Sequence, residues 1–567
     1  MATVTVSVLI KRCSHNSVGG GAKWRALTPG VVCRISGDAC DLRPASAKPV
    51  WVVAALAMAF GAACMSTRSV AQSVPDEPSR TAPVVGATAW RITPEISLAE
   101  SYTDNAALVP SAIAKKSWIT ESTPGIRIEK RGVRSRVYLD YRLRDFRYSG
   151  DSRLNNSQHL LASNAVVEVV DNWLFVDASA NITQQNRSAF SIAGATDTSG
   201  PNGNRVETAT TQISPRISGK LIDLAAYQLR LVAADIRSKD PALPDTIGRQ
   251  WTGFIKNERA ISGLGWSVDG SALSFRNKVV GKAFDERVRG SLSYEVDPQI
   301  HVSAIVGREA TNFAGLQKTS ANTSGFGLEW SPSTRTQFAA VKEKRFFGDS
   351  HSVIFKHRTA LSAWSFSSNR DVTASSGQLT ATGSGSTAGL LSDLLVAAIP
   401  DPIAREAAVR KRLEESGIPA GSALSGGFAT GRPYVIRSDE ASVALVGVKN
   451  TVTLIFSRRN QRAFGPTIGA TDSFSLSNDI LQQGFNLNWA LRLSPLSSIS
   501  LIATSLRSEG LSVAGLDTRQ RNLNLLFSTR VGQNTYVTFG ARRVHLDNSQ
   551  NTSYRENAVL ASVSLRY

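Results

Sequence analysis

The sequence predicts an all-β fold: a transmembrane antiparallel up-and-down β-barrel of about 22 strands (20–22), interrupted by one helical loop insertion. Three observations predict it. Residues 553–567 alternate strictly, with Val559, Ala561, Val563 and Leu565 on one face and Ser562, Ser564 and Arg566 on the other, and the chain ends on the aromatic Tyr567. The same two-residue period recurs from Trp90 onward. Outside the N-terminal region no run of 18 apolar residues exists, so a helical membrane protein is excluded, whereas a barrel spreads its apolar residues over every second position.

The N-terminal region reads as an export signal. Residues 50–63 (VWVVAALAMAFGAA) form a short apolar core preceded by Arg43 and Lys48 and followed by Ser69-Val70-Ala71, which places cleavage after Ala71. Residues 1–71 are therefore expected to be an N-terminal extension and signal peptide, 72–89 a short periplasmic lead-in, and 90–567 the barrel. All four cysteines (Cys13, Cys33, Cys40, Cys64) precede that cleavage site, as suits a chain that crosses an oxidising compartment. The formal net charge is +19, of which +13 lies beyond residue 71. For an exported chain a basic excess points to anionic polysaccharide or lipopolysaccharide phosphate as partner, and not to nucleic acid.

The strands follow from side-chain parity. Val133, Val137, Leu139, Tyr141 and Leu143 share one parity, and Arg134, Arg136, Asp140, Arg142 and Arg144 share the other. Phe485, Leu487, Trp489, Leu491 and Leu493 oppose Asn486, Asn488 and Arg492, and Leu523, Leu525 and Phe527 oppose Asn522, Asn524, Ser528 and Arg530. Tight turns are expected at Asp171-Asn172, Ile222-Asp223, Asp269-Gly270, Ser331-Pro332-Ser333, Val448-Lys449-Asn450, 494–497 and 532–534, where Asx and Gly supply the backbone shapes that turns need. Longer polar connections are expected at 104–116, 187–204, 238–248, 464–472 and 509–516. An even strand count requires 352–359 and 361–373 to be two strands joined near Thr359-Ala360.

The pattern breaks over 374–433. A Gly/Ser/Thr-rich stretch precedes helical patterning at 390–399, a Pro400-Asp401-Pro402 break, and an amphipathic 403–416 segment with Ile403, Ala407, Val409 and Leu413 opposing Arg405, Arg410, Lys411 and Arg412. Parity makes this an extracellular loop. Its first reading is a solvated surface excursion; the sharper alternative is a lid or constriction folded over or into the lumen.

Motifs for chemistry are sparse. The five histidines beyond the signal (His159, His301, His351, His357, His545) lack metal-ligand spacing, and no G-x-S-x-G elbow occurs. No enzyme, catalytic residue, metal or cofactor is expected. The candidate functional feature is the basic stripe Arg134, Arg136, Arg142 and Arg144, which would face the lumen and guide anions, or else join a structural charge network with acids such as Asp140, Glu329 and Glu440.

Several segments carry a resemblance: WRITPEISLAESYTDNAAL (90–108), SWITESTPGIRIE (117–129), SNRDVTASS (368–376), IPDPIAREAAVRKRL (399–413) and the final strands. Together they resemble a family of outer-membrane β-barrels associated with the PEP-CTERM protein-sorting and exopolysaccharide system. The resemblance implies a cell outer-membrane location near surface-polymer production and transfers no catalytic residue.

The sequence thus supports a channel or export component for exopolysaccharide or PEP-CTERM surface protein. A non-conducting surface scaffold or adhesin is the alternative, and a barrel enzyme is less favoured. Expected partners are outer-membrane lipid and lipopolysaccharide, anionic polysaccharide, and the barrel assembly machinery, which would read the terminal strand and Tyr567. Oligomeric state is not legible.

Overall fold

The structure, a computed structural model, describes residues 90–567 except 192–203, 222–223, 241–242, 258–262, 316, 374–386, 397–398, 400–404, 406–407, 410–411, 414–426, 465–471 and 550–552. The signal with its Ala71 cleavage site, the 72–89 lead-in and the Ile222-Asp223 turn lie outside the described residues.

Twenty-two strands follow one another along the chain. The first eight are β1 (Trp90–Thr103), β2 (Ser117–Arg131), β3 (Ser135–Tyr148), β4 (Asn156–Val170), β5 (Leu174–Asn186), β6 (Arg205–Leu221), β7 (Ala225–Ser238) and β8 (Thr246–Asn257). Then come β9 (Leu264–Asn277), β10 (Gly281–Asp297), β11 (Ile300–Thr311), β12 (Thr319–Ser333), β13 (Thr336–Arg345), β14 (Gly348–Arg358) and β15 (Ser362–Thr373). After the insertion follow β16 (Tyr434–Val446), β17 (Asn450–Ala463), β18 (Asp479–Arg492), β19 (Ser497–Gly510), β20 (Asp517–Arg530), β21 (Thr535–Asn548) and β22 (Tyr554–Arg566). Among its described residues the insertion contributes helix α1 (Thr387–Leu395), and Arg405, Ala408, Val409, Arg412 and Leu413 are helical as well.

Every strand pairs antiparallel with its sequence neighbours, and β1 closes on β22 from Glu95 opposite Arg566 to Thr103 opposite Ala558. Closure leaves no unpaired edge, which is what a sheet needs to cross a hydrocarbon layer. The expected count of 22 holds, including the division of 352–373 by a turn at 359–361.

Short turns gather at one end of the barrel with Trp90 and Tyr567, and the long loops lie at the other, where only 278–280 and 346–347 are tight. In outer-membrane barrels these are the periplasmic and outer ends. They are called here the turn end and the loop end. At the turn end, Asn172 takes a left-handed backbone (φ 53°) that an Asx side chain tolerates.

Two expected turns differ: Ser331-Pro332-Ser333 still belongs to β12, the turn being Thr334-Arg335, and the other is misplaced altogether. Asp269-Gly270 lies in the middle of β9, not between strands. Asp269 points inward to Arg289 on β10 at 2.9 Å, while Leu264, Trp266 and Val268 continue the outward alternation. A turn-like dipeptide is overridden where its Asp finds a charged partner across the ladder.

The outward face is apolar. Ile92, Ile96, Leu98, Val288, Phe326, Phe456, Leu525, Phe539 and Val563 stand exposed on it. Aromatic side chains rim this belt at the turn end: Trp90, Trp173, Trp266, Trp330, Trp364 and Tyr567. An exposed apolar band closed by an aromatic girdle is stable only against lipid. The terminal strand presents Val559 and Val563 outward as expected, and the Tyr567 amide donates to the Pro94 carbonyl at 3.0 Å.

The inward face is polar, and its glycines permit close approach. A Cβ at Gly325 would run into the Lys342 carbonyl and one at Gly307 into the Val288 carbonyl, so only glycine fits there. At the loop end, small apolar clusters draw the loops inward, such as Leu108 against Val544, Leu546 and Tyr554. In the β3–β4 loop the Arg153 side chain hydrogen-bonds Asp151 and holds its carboxyl down at about 2.

Candidate functional site

The lumen has two differently built walls. On the arc from β21 through β22 to β3, inward positions carry opposed charges. Arg127 on β2 reaches Asp140 on β3 at 3.0 Å, and Arg142 reaches the same carboxylate at 3.0 Å. Glu95 on β1 receives Arg566 at 3.4 Å, Arg142 at 3.7 Å and Arg127 at 3.9 Å. Arg144 grips both oxygens of Glu121 at 2.7 and 3.1 Å. Arg542 and Glu556, each 4% exposed, pair at 2.5 Å, and Thr103 donates to the same carboxylate at 2.9 Å. Further round the ring, Arg345 pairs with Glu309 at 2.9 Å and with Asp371.

The four arginines expected to line the lumen are therefore not one site. Arg142 and Arg144 do face inward, but both are held by carboxylates. Arg134 sits in the β2–β3 turn, exposed, paired with Asp171 of the next turn at 2.6 Å, and so lies outside the lumen. Arg136 faces Arg131 across the β2–β3 ladder near the turn end, and neither pairs with a described acid. Arg136, Arg142 and Arg144 share the inward parity of β3, which starts at Ser135 and so leaves Arg134 in the turn.

The second wall, β17 to β20, is nearly neutral and nearly all buried. Its inward positions include Thr451, Thr453, Ser457, Asn486, Asn488, Ser498, Ser500, Asn522 and Asn524, each buried. Part of the insertion lies on this wall and on neighbouring β16. The sequence TAGLLSDLL puts Leu390, Leu391, Leu394 and Leu395 on one side of a helix. Leu390 packs on Ala444 of β16 and Ile455 of β17, while Leu391 packs with Ala490 of β18. Val409 and Leu413, one helical turn apart, join the Leu391 cluster. Each such buried side chain contributes about 1.5–3 kcal/mol. Asn488 donates to Thr387 at 3.0 Å and to Thr453 at 3.2 Å, and Lys356 on β14 donates to Asp393 at 3.0 Å.

For the described helix this placement replaces the solvated surface excursion with the sharper alternative: α1 packs on inward-facing residues of the barrel wall. Thr453, Ala490 and Lys356 all lie within a few residues of the turn end of their strands, so α1 sits deep. Helix α1 also begins at Thr387 and ends at Leu395, earlier than the expected 390–399.

The loop end is closed by contacts across the opening. In a ring of 22 strands, β5 and β16 are diametrically opposed. Phe190 of the β5–β6 loop nonetheless packs with Phe428 and Tyr434 at the end of the insertion, and with Phe474, Ile480 and Leu516. The Ala189 amide donates to Ser473 at 2.8 Å, and Thr518 donates to the Phe190 carbonyl at 2.9 Å. The Ala429 amide donates to the Asn186 carbonyl at 2.8 Å, and Asn277 donates to the Gly431 carbonyl at 2.7 Å. The signal for this closure was present as single phenylalanines, Phe190 and Phe474, within polar connections.

The histidines are dispersed. His159 meets Tyr141, His351 meets Ser368, His357 meets Thr336 and His545 meets Asp547. Among the described residues no three metal-ligating side chains converge.

No family model and no curated protein matches the chain. Among solved structures it is similar to the FrpB iron transporter of Neisseria meningitidis in its apoprotein form (9% identity, 83% of this chain and 81% of that one, TM-score 0.46). It is also similar to the siderophore receptor PirA of Pseudomonas aeruginosa (7% identity, 85% and 81%, TM-score 0.40) and to the outer membrane protein opdK of the same species (7% identity, 84% and 99%, TM-score 0.32). The assignment rests on the chain's own strands: a closed 22-stranded barrel with a lipid-facing belt, that is, an outer-membrane β-barrel.

Proposed function

We propose that this chain is an outer-membrane conduit gated by its own 374–433 insertion. The observation that carries the reading is helix α1, seated deep in the lumen on neutral side chains of β16 to β18. A barrel of 22 strands encloses a wide lumen that conducts unless something fills it. A helix held by a few leucines and three described side-chain hydrogen bonds or ion pairs is a removable obstruction of that kind. The cargo class follows from the family resemblance and the basic balance: exopolysaccharide or a PEP-CTERM surface protein moving outward. Outer-leaflet lipid, anionic polysaccharide, and the assembly machinery acting at Tyr567 are the partners of this reading. It assigns no catalytic step, and alanine replacement of the five histidines should leave function unchanged.

A disulfide lock tests the gate. Thr387→Cys with Asn488→Cys joins α1 to the wall, and no other cysteine lies beyond Cys64. In planar bilayers the oxidised protein should stay closed, and reduction should restore the unmodified protein's openings. Equal conductance in both states, with the disulfide verified, sinks the gate. The closed loop end favours a second reading, a non-conducting surface scaffold whose loops are the working parts. That reading stands if neither state ever conducts.

A further inference from the structure

We propose that the outer wall of β15 to β18, just above the apolar belt, binds the phosphorylated headgroup of a membrane glycolipid. A groove of about 520 Å³ lies there, lined by Arg370, Arg437, Arg458 and Arg462 together with Asp439 and Asp479. The register puts all six on the outward face. Arg370 stands opposite Arg437, Asp439 opposite Arg458, and Arg462 opposite Asp479. Two-residue steps along the same strands lead to Phe366, Phe456 and Phe485, which are exposed on the belt.

The acids do not neutralise the groove. Asp439 is taken by Arg437 at 3.2 Å and accepts from Ser368 at 2.6 Å, while Asp479 accepts from Asn460 at 2.9 Å. Arg370 lies over Phe347, 5.3 Å from the ring centre, and donates to the Asp349 carbonyl. Arg458 and Arg462 make no ion pair with any described residue, and Arg458, Arg462 and Arg437 are exposed. Four guanidinium groups against two carboxylates repel one another unless an anion joins them. Guanidinium forks match phosphate oxygens two at a time, which lysines do not.

Height selects a lipid over a free anion. Arg458 is the next outward residue beyond Phe456 on β17, so an anion in the groove sits directly above the acyl layer. A ligand whose phosphates lie at that boundary, with its chains against Phe366, Phe456 and Phe485, satisfies both halves of the surface. Arg507 on β19 and Arg519 on β20 face each other at similar height, but Arg507 is paired with Glu509 at 3.3 Å, so the groove of β15 to β18 is the more strongly basic stretch.

Native mass spectrometry of the purified full chain in detergent micelles tests this. The probes are bis-phosphorylated lipid A, its dephosphorylated form and inorganic phosphate. Lipid A should bind about tenfold more tightly than the dephosphorylated lipid. Arg458→Gln with Arg462→Gln should weaken lipid A binding about tenfold. Arg335→Gln, which removes a charge at the turn end, should leave it unchanged. Retention of the heat-modifiable gel shift verifies that each variant is folded. Equal binding of the two lipids, or undiminished binding by the double variant, overturns the proposal. Displacement of lipid A by equimolar inorganic phosphate also overturns it, and leaves a free-anion site.

Discussion

The wall from β21 to β3 and the wall from β17 to β20 line the same lumen, yet they solve different problems. The first is built from opposed charges, most of them partly solvated: Arg142 is 37% exposed and Arg144 16%. The second offers amides and hydroxyls that are almost entirely buried, Arg459 on β17 and Arg492 and Arg530 at the turn end being its charged exceptions. Desolvating an unpaired charge costs far more than desolvating an amide that keeps a hydrogen bond. A segment that docks and leaves therefore belongs on the neutral wall. The charged wall, left to water, can keep its ion pairs whether or not the insertion is seated. The seat of α1 is thus written in the chemistry of the wall under it.

Breaking the best-buried pair of the charged wall should have the largest effect. Glu556→Ala strands Arg542 without its carboxylate and is expected to destabilise the barrel by about 3–5 kcal/mol, read from urea unfolding in micelles. On the neutral wall, Leu391→Ala removes apolar contact beneath α1 and is expected to weaken its seating by about 2–4 kcal/mol. The readout differs: the global unfolding midpoint should barely move, while the open probability in bilayers should rise. Arg142→Gln is expected to cost about 0.5–1 kcal/mol, because Asp140 retains Arg127 and the group is substantially solvated. Ion preference should shift little, since Arg142 is already neutralised; a reversed selectivity would restore the anion-guiding role. Smallest of all, Arg134→Ala loses an exposed turn-end pair and is expected to change stability by less than about 0.5 kcal/mol. Any change in conductance from that variant would contradict its position outside the lumen.

Local physics explains which of these features were legible in the sequence. A strand's period of two assigns each residue to lipid or lumen, so Val559 and Val563 outward, and Arg142 and Arg144 inward, could be read directly. Parity also forced the division at 359–361, because an odd count would have put the ends of the chain on opposite sides. The Asp269-Gly270 error arose because turn propensity is local, whereas the Asp269–Arg289 pair is a cross-strand fact. The insertion was recognisable as helical from its leucine spacing. Its destination was not, because that depends on Leu391 meeting Ala490 from a strand about a hundred residues away. Of the arginines' partners only Asp140, on the same face of β3 as Arg142, was legible; Glu95 and Glu121 reach them from other strands. The closed mouth was the least legible feature, since it joins loops from opposite sides of the ring.

Single-channel conductance of the intact protein and of a form with 374–433 replaced by a short Gly/Ser linker tests the central claim most directly. Both should fold, since the ladder between β15 and β16 runs from Ser362–Leu445 to Thr373–Tyr434 and does not use the insertion. The intact protein is expected to be mostly closed with brief openings, and the shortened one to hold a large, steady conductance. Equal conductance from the two, with folding verified, would mean that the helix in the lumen obstructs nothing.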